Sequence, residues 1–165
     1  MQHVQTRSTT SALVLTAVLI ALATLFTMYT KIPVPGIRGY FNVGDVVIMT
    51  SALLLGRKYG AYIGAIGPAL ADLFLGYAVF VPITFVVKGI EGYLVGTVYN
   101  HKTTTSALVA TIVGGIVIVA GYFIAEYFVF DPGVAIASIL TNTIQAVMSV
   151  IVSMILYAIL RKRLR

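Results

Sequence analysis

Four ionisable residues lie within long stretches of apolar sequence: Asp72, Lys88, Glu91 and Glu126. A charge in the hydrocarbon of a membrane costs on the order of a few kcal/mol on insertion scales. Such residues therefore usually face a bundle interior or a water-filled cavity, and they often mark the site of a polar ligand or the path of an ion. The sequence predicts that this chain binds something polar within the membrane.

The polar residues of three predicted helices fall in pairs that share a helix face. Residues three or four positions apart lie on the same side of a helix. The pairs are Lys88 with Glu91, Tyr122 with Glu126, and Asn142 with Gln145. Converging carboxylate, ammonium and carboxamide groups suit a small heterocycle rich in hydrogen-bonding atoms, with a ring such as Tyr122 or Tyr40 stacked on it.

The same groups could instead satisfy one another. Lys88 could form a structural ion pair with Glu91 or Asp72, and Glu126 could face water at the membrane interface. The two carboxamides could form an interhelical hydrogen bond, worth about 1 kcal/mol or less. Mutual pairing does not easily account for the whole set, because the buried carboxylates outnumber the buried cation.

Composition indicates an all-α integral membrane protein with one domain, residues 1–165. Hydrophobic residues make up 59% of the chain and charged residues 10%, against about 25% charged in an ordinary soluble domain. A chain of this length supplies about six membrane-spanning helices. They are predicted at about 11–29, 42–55, 61–77, 82–99, 106–130 and 133–160.

Basic residues predict the orientation of the helices. With the N-terminus inside, the inner segments hold Arg7, Arg57, Lys58, Lys102 and the terminal Arg161, Lys162, Arg163 and Arg165. The outer segments hold only Lys31 and Arg38. Both termini are therefore expected in the cytoplasm. The net charge of +6 is interpreted as topogenic charge that also contacts anionic membrane lipid, and nucleic-acid binding is not expected.

Missing residue types exclude several chemistries. The chain has no cysteine, and its two histidines, His3 and His101, fall in a tail and a loop. No metal site, catalytic residue or cofactor is therefore expected. The chain also lacks a phosphate-binding loop, so it cannot hydrolyse ATP by that route. No inverted repeat relates its two halves, which disfavours a self-sufficient carrier.

Short motifs follow one another in a fixed order from Tyr40 to Gly96. They are Phe41-Asn-Val-Gly-Asp45, Leu53-Leu-Leu-Gly56, Gly64-Ala-Ile-Gly67, Ala71-Asp72, Gly76-Tyr77, Lys88-Gly-Ile-Glu-Gly92 and Leu94-Val-Gly96. This series resembles the substrate-binding S components of energy-coupling factor (ECF) vitamin transporters. The resemblance is greatest to the riboflavin-like or hydroxymethylpyrimidine-like group.

The resemblance implies a six-helix protein of the prokaryotic cell membrane that captures a vitamin from outside and is not itself an enzyme. It also implies association with a transmembrane coupling (T) protein and two cytoplasmic ABC-type ATPases, whose ATP hydrolysis powers release inside. In this family an Ala-x-x-x-Ala motif on the first helix contacts the coupling protein. Ala17 and Ala21 match that motif.

The family's ligand site is formed by the segment between helices 1 and 2 together with helices 4, 5 and 6. The resulting substrate-binding candidates are Lys88, Glu91, Tyr122, Glu126, Asn142 and Gln145, with Arg38, Tyr40 and Phe41 in a lid. Two motif carboxylates are predicted to be structural. Asp45 is expected near the outer start of helix 2, where it favours the helix dipole, and Asp72 is expected to hold helix 3 against helix 4 through Lys88.

The nature of the ligand stays open among several vitamins. A pyridine or pyrimidine ring, as in vitamin B6 or hydroxymethylpyrimidine, is favoured, and riboflavin is next. The absence of tryptophan means that stacking must come from Tyr or Phe, which disfavours a thiamine-type site. The alternatives are a stand-alone carrier coupled to protons through Glu91 or Glu126, and a membrane enzyme that acts on a polar head group.

Overall fold

The computed structural model describes residues 9–33, 40–100 and 103–163. It contains the helices α1 (Thr9–Tyr29), α2 (Gly44–Leu55), α3 (Arg57–Phe74), α4 (Phe80–Val98), α5 (Thr104–Val129) and α6 (Pro132–Arg163). Between α1 and α2, strand β1 (Ile32–Pro33) pairs antiparallel with strand β2 (Tyr40–Phe41). The predicted all-α fold with six helices is confirmed.

The membrane character of the chain is visible on the outside of the bundle. Four helices, α1, α4, α5 and α6, are long and apolar enough to cross a bilayer. Large apolar side chains such as Leu13, Ile116 and Leu140 are exposed on three of them, as expected of surfaces that face lipid. The chain is a multi-pass membrane protein, and the cytoplasmic location of both termini stays a prediction.

The turn between α2 and α3 is shorter than the sequence suggested. Helix 3 was predicted to begin at residue 61 after a five-residue turn, but α3 begins at Arg57. A single residue, Gly56, reverses the chain with a φ of 89°, a conformation that glycine adopts without steric penalty. Helix α3 also ends at Phe74, before the predicted residue 77. The other predicted boundaries differ by three residues or fewer.

Helix α2 is the central element of the bundle. It packs against each of the other five helices, and ten of its twelve residues are buried, from Gly44 to Leu53. At 1.5 Å per residue it is about 18 Å long, too short to span a bilayer by itself. Because the longer helices surround it, its length does not have to match the membrane, and polar residues near its start are buried in protein.

Helices α3 and α4 touch through their backbones. A Cβ atom on Gly64 would lie 2.1 Å from the carbonyl oxygen of Lys88, and a Cβ on Gly92 would lie 2.1 Å from the carbonyl oxygen of Gly60. In lipid, small residues of this kind allow the close packing that holds helices together. These contacts fix the position of Lys88 along the axis of α4 relative to the residues of α3.

Because the Lys88 carbonyl is backbone, it cannot move aside for a larger residue at position 64. We expect Gly64→Ala to destabilise the fold by about 1–3 kcal/mol, the usual range for overpacking. Gly115→Ala is the matched control, since its Cβ would lie 3.3 Å from the Ala146 methyl and 3.7 Å from a Val150 methyl, with no backbone carbonyl as near as at Gly64. Thermal unfolding followed by circular dichroism in detergent should show a lower midpoint for Gly64→Ala. Equal midpoints for the two variants would contradict the backbone contact.

Candidate functional site

A small polar cavity lies among the helices beside β2. Its volume is about 30 Å³, far below the roughly 300–1,000 Å³ of an open ligand pocket. It is lined by Thr27, Tyr40, Asn42, Pro68, Asp72, Phe80, Thr84, Lys88, Tyr122, Glu126, Ser138, Asn142 and Gln145. Six of the nine predicted substrate-binding residues are in that set.

The remaining three predicted substrate-binding residues lie elsewhere. Glu91 is fully buried one helical turn from Lys88 and does not line the cavity. Phe41 pairs with Ile32 in the strand ladder and does not line the cavity. Arg38 lies outside the described residues.

Lys88 is held by a buried ion pair with Asp45. Its Nζ donates to Oδ1 of Asp45 at 2.5 Å and lies 3.5 Å from Oε2 of Glu91. The other carboxylate oxygen of Asp45 accepts from Nε2 of Gln145 at 2.7 Å, and Oε1 of Gln145 accepts from the Asn42 backbone N–H at 3.0 Å. The network joins α2, α4 and α6, and it anchors the start of α2 to α6.

The predicted role of Asp45 was incomplete, because Asp45 is the principal partner of Lys88 and is fully buried. Asp45 was predicted near the outer start of helix 2, with a role toward the helix dipole, and it does lie in the first turn of α2. In the fold, α2 begins at Gly44 and is enclosed by the other helices. Two features of the sequence indicate this pairing. Lys88 is a cation within an apolar helix, and helix 2 is too short to span the membrane and carries an acid, Asp45, in its first turn.

Asp72 forms no ion pair with Lys88 in the described part of the chain, where the carboxylates near Lys88 are those of Asp45 and Glu91. Oδ1 of Asp72 accepts a hydrogen bond from the Tyr40 hydroxyl at 2.5 Å. Asp72 therefore ties β2 to α3, while the glycine contacts hold α3 against α4. Burial, followed by the neighbouring Asp72 carboxylate, raises the pKa of Tyr40 above its usual range. The Tyr40 hydroxyl consequently stays protonated and acts as the donor.

Glu91 is the second carboxylate near Lys88. Both of its oxygens are buried and have no hydrogen-bond partner among the described residues. Its Cγ faces α5 at Gly114, where an added Cβ would lie 3.5 Å away. Glu91 therefore lies behind Lys88, at a deeper position than the cavity lining.

Two further polar contacts join neighbouring helices beside the cavity. The hydroxyls of Thr84 and Tyr122 are 2.9 Å apart and connect α4 to α5. The Ser138 hydroxyl donates to Oε2 of Glu126 and connects α5 to α6. Glu126 is buried rather than facing water at the interface. The Asn142 carboxamide lines the cavity, and no hydrogen bond to another described side chain holds it.

A row of aromatic rings lies at the β2 end of the cavity. Ring centroids are separated by 5.0 Å between Tyr40 and Tyr77, 6.3 Å between Tyr77 and Phe80, and 5.4 Å between Phe80 and Phe130. Nζ of Lys31 lies 4.9 Å from the Tyr77 centroid. These rings offer Tyr and Phe faces for stacking in a chain without tryptophan.

A larger cavity of about 590 Å³ lies between α5 and α6. Its lining is almost wholly apolar, with Ile116, Phe123 and Val147 among the contributing residues. It offers no charged group that could orient a polar ligand. The small cavity around Lys88 is therefore the candidate substrate site.

The two residues predicted to dock a partner lie on the outside of the bundle. Ala17 and Ala21 are both exposed on α1, which packs only against α2 and α3 among the described helices.

Metal binding was not expected from the sequence. Among residues 9–33, 40–100 and 103–163, no group of three His, Cys, Asp or Glu side chains could hold a metal ion.

Comparisons with known proteins agree on one family of sequences. Residues 7–162 match the model of the "ECF-type riboflavin transporter, S component" family. The chain is 30% identical over 149 residues to the thiamine precursor transporter HmpT of Lactococcus lactis subsp. cremoris, covering 89% of this chain and 83% of that protein. It is 41% identical over 144 residues to an uncharacterised protein of Pyrococcus woesei, covering 86% of this chain and 95% of that protein.

Solved structures support the same fold. The S component of a bacterial ECF transporter aligns with a TM-score of 0.73 at 21% identity, covering 94% of this chain and 98% of that one. An S component for biotin aligns with a TM-score of 0.60 at 19% identity, covering 91% of this chain and 94% of that one. At these identities the likeness concerns the arrangement of the helices and not the ligand.

The Asp45–Lys88 pair gives a prediction for stability. Removing one partner of a buried ion pair costs about 3–5 kcal/mol, whereas replacing both partners with apolar groups is often neutral. We expect Asp45→Leu and Lys88→Met each to lower the unfolding midpoint strongly, and the double variant Asp45→Leu with Lys88→Met to recover part of the loss. A double variant whose loss equals the sum of the two single losses would show that the residues are not coupled.

Proposed function

The chain belongs to the ECF-type riboflavin transporter S component family, and from that membership we propose that it captures a small B-type vitamin or precursor in the cavity around Lys88. Members of this family are substrate-binding subunits of vitamin transporters and not enzymes. The observation that carries the proposal is the convergence of buried charged and polar side chains from α3, α4, α5 and α6 on one cavity. Buried polar groups of this kind in a membrane bundle are characteristic of substrate sites.

The favoured substrates are ring compounds of the pyrimidine or pyridine type, hydroxymethylpyrimidine or vitamin B6, with riboflavin next. The relative that is 30% identical transports a thiamine precursor, which supports a pyrimidine. The Asn142 carboxamide can both donate to and accept from a ring edge that carries a nitrogen beside an amino or hydroxyl group. A single ring also requires less enlargement of a 30 Å³ cavity than the three fused rings of a flavin.

Binding must enlarge the cavity, and the hydrogen bonds around it are suited to exchange. The pairs Tyr40–Asp72, Thr84–Tyr122 and Ser138–Glu126 join different elements. A ligand that inserts between them can take over the hydroxyl donors and the carboxylate acceptors. No buried polar group is then left unpaired. Each group left unpaired would cost about 1–3 kcal/mol.

For transport, we propose that the chain works with a transmembrane T protein and two cytoplasmic ATPases in the prokaryotic cell membrane. The exposed Ala17 and Ala21 on α1 would allow a helix of the T protein to approach closely, since small residues favour helix packing in lipid. Release inside the cell would then depend on ATP hydrolysis by the partners. The ECF complex supplies the energy that a binding subunit lacks.

The alternative is a stand-alone carrier coupled to protons. One observation favours it, because the buried oxygens of Glu91 have no hydrogen-bond partner among the described residues, and such a carboxylate can accept a proton.

A transport assay separates the two functions. Cells that lack other vitamin transporters should accumulate labelled hydroxymethylpyrimidine, pyridoxine or riboflavin only when the T protein and ATPases are present together with this chain. Uptake by this chain alone that an uncoupler abolishes would favour the carrier.

The docking role of α1 gives a further prediction. Ala21→Leu, alone or together with Ala17→Leu, should abolish uptake that depends on the ATPases, because the larger side chains keep the partner helix away. Binding of vitamin to the purified chain should be unchanged. Ala137→Leu makes the same change at an exposed position of α6 and should leave both activities intact. Equal loss of binding and uptake in Ala21→Leu would contradict the docking role.

A further inference from the structure

The charges around the cavity are unequal in number. Among the described residues, one ammonium group, that of Lys88, lines the cavity, together with the carboxylates of Asp72 and Glu126. Two more carboxylates, those of Asp45 and Glu91, lie behind Lys88 and are fully buried. The side chains that border and back the cavity therefore include four acids and one base.

The positive charge of Lys88 is already neutralised by the protein. Its Nζ lies 2.5 Å from Asp45 and 3.5 Å from Glu91, and Gln145 holds the far oxygen of Asp45 in place. Its side chain is 2% exposed. An anionic ligand would have to compete with two fixed carboxylates for this ammonium group.

The two carboxylates that line the cavity have only neutral donors. Asp72 accepts from the Tyr40 hydroxyl and Glu126 from the Ser138 hydroxyl. Neither forms an ion pair within the described part of the chain. Both groups can accept further hydrogen bonds from a ligand, since an ionised carboxylate has about four acceptor positions.

The other described cations do not line the cavity, although Nζ of Lys31 lies 5.9 Å from the ring centroid of the lining residue Tyr40. Lys31 sits over the rings of Tyr40 and Tyr77. Arg57 begins α3, fifteen positions before Asp72, which corresponds to about 22 Å along the helix axis. Within residues 9–33, 40–100 and 103–163, no uncommitted cation lines the cavity.

From this arrangement, and building on the proposed function, we propose that the site selects against anions. Its substrate is a neutral or cationic ring compound, and the phosphate esters of the same rings are rejected. A hydroxyl or amino group on the ring donates to Asp72 or Glu126. A phosphate group would lose its hydration in the low-dielectric interior and face the carboxylates of Asp72 and Glu126, and among the described residues it would gain no uncommitted cation.

Three matched pairs of ligands test the proposal. They are hydroxymethylpyrimidine and its monophosphate, pyridoxine and pyridoxine 5′-phosphate, and riboflavin and flavin mononucleotide. Affinities are measured by titration calorimetry on the full chain in lipid nanodiscs. For whichever ring binds, we expect the phosphate ester to bind at least about tenfold more weakly, a difference that calorimetry resolves readily.

Charge-neutral variants show whether charge is the cause. Glu126→Gln and Asp72→Asn retain the shape of each side chain and remove its charge. In these variants we expect a smaller ratio between the dissociation constants of the phosphate ester and of the unphosphorylated ring. Asp131→Asn removes a charge from the exposed turn before α6 and preserves an acceptor for the Val134 backbone N–H. This control should leave the preference unchanged.

The outcomes separate the inference from the proposed function. A phosphate ester that binds as tightly as its parent ring, or more tightly, would overturn the inference and leave the binding function standing. A strong preference that neither Glu126→Gln nor Asp72→Asn alters would assign the selection to size and would also overturn the inference. Failure of all six compounds to bind would count against the proposed function itself and would remove the inference with it.

Discussion

The ion pair between Asp45 and Lys88 is the contact around which the polar interior of this bundle is organised. A lysine at this position of an apolar helix would be expensive to bury alone. Its partner comes from α2, which packs against each of the other five helices. Gln145 then links the same carboxylate to α6 and to the backbone at Asn42. One buried charge thus determines which elements must meet beside the cavity.

Close backbone packing complements this electrostatic constraint. Gly64 and Gly92 bring α3 and α4 into direct contact, so the height of Lys88 is fixed by groups that cannot adjust. The contacts nearer β2 are of a different kind, because each joins two side chains, as in Tyr40–Asp72 and Ser138–Glu126. Backbone contacts that cannot move lie on one side of the cavity, and side-chain hydrogen bonds that can exchange partners lie around it. This combination suits a site that must open to admit a ligand and close over it.

The sequence was sufficient to predict the six helices and six of the thirteen residues that line the cavity, because both follow from local rules. Apolar length defines the spans, and i,i+3 or i,i+4 spacing puts Asn142 with Gln145 and Tyr122 with Glu126 on common faces. The partner of Lys88 was not predictable in this way, because Asp45 is distant in sequence and was expected to act only on the dipole of helix 2. Its burial depends on the tertiary position of α2, as the role of Asp72 depends on the path of β2.

The central claim is that the chain alone holds a vitamin in the cavity beside Lys88. The test is mass spectrometry of small molecules that co-purify with the solubilised chain, compared with the Asn142→Ala variant, which changes a cavity-lining residue and leaves the buried ion pair intact. We expect the unaltered chain to carry an unphosphorylated vitamin or precursor and the variant to carry much less. A chain that purifies empty even when its growth medium contains these vitamins, or a variant with the same load, would contradict it.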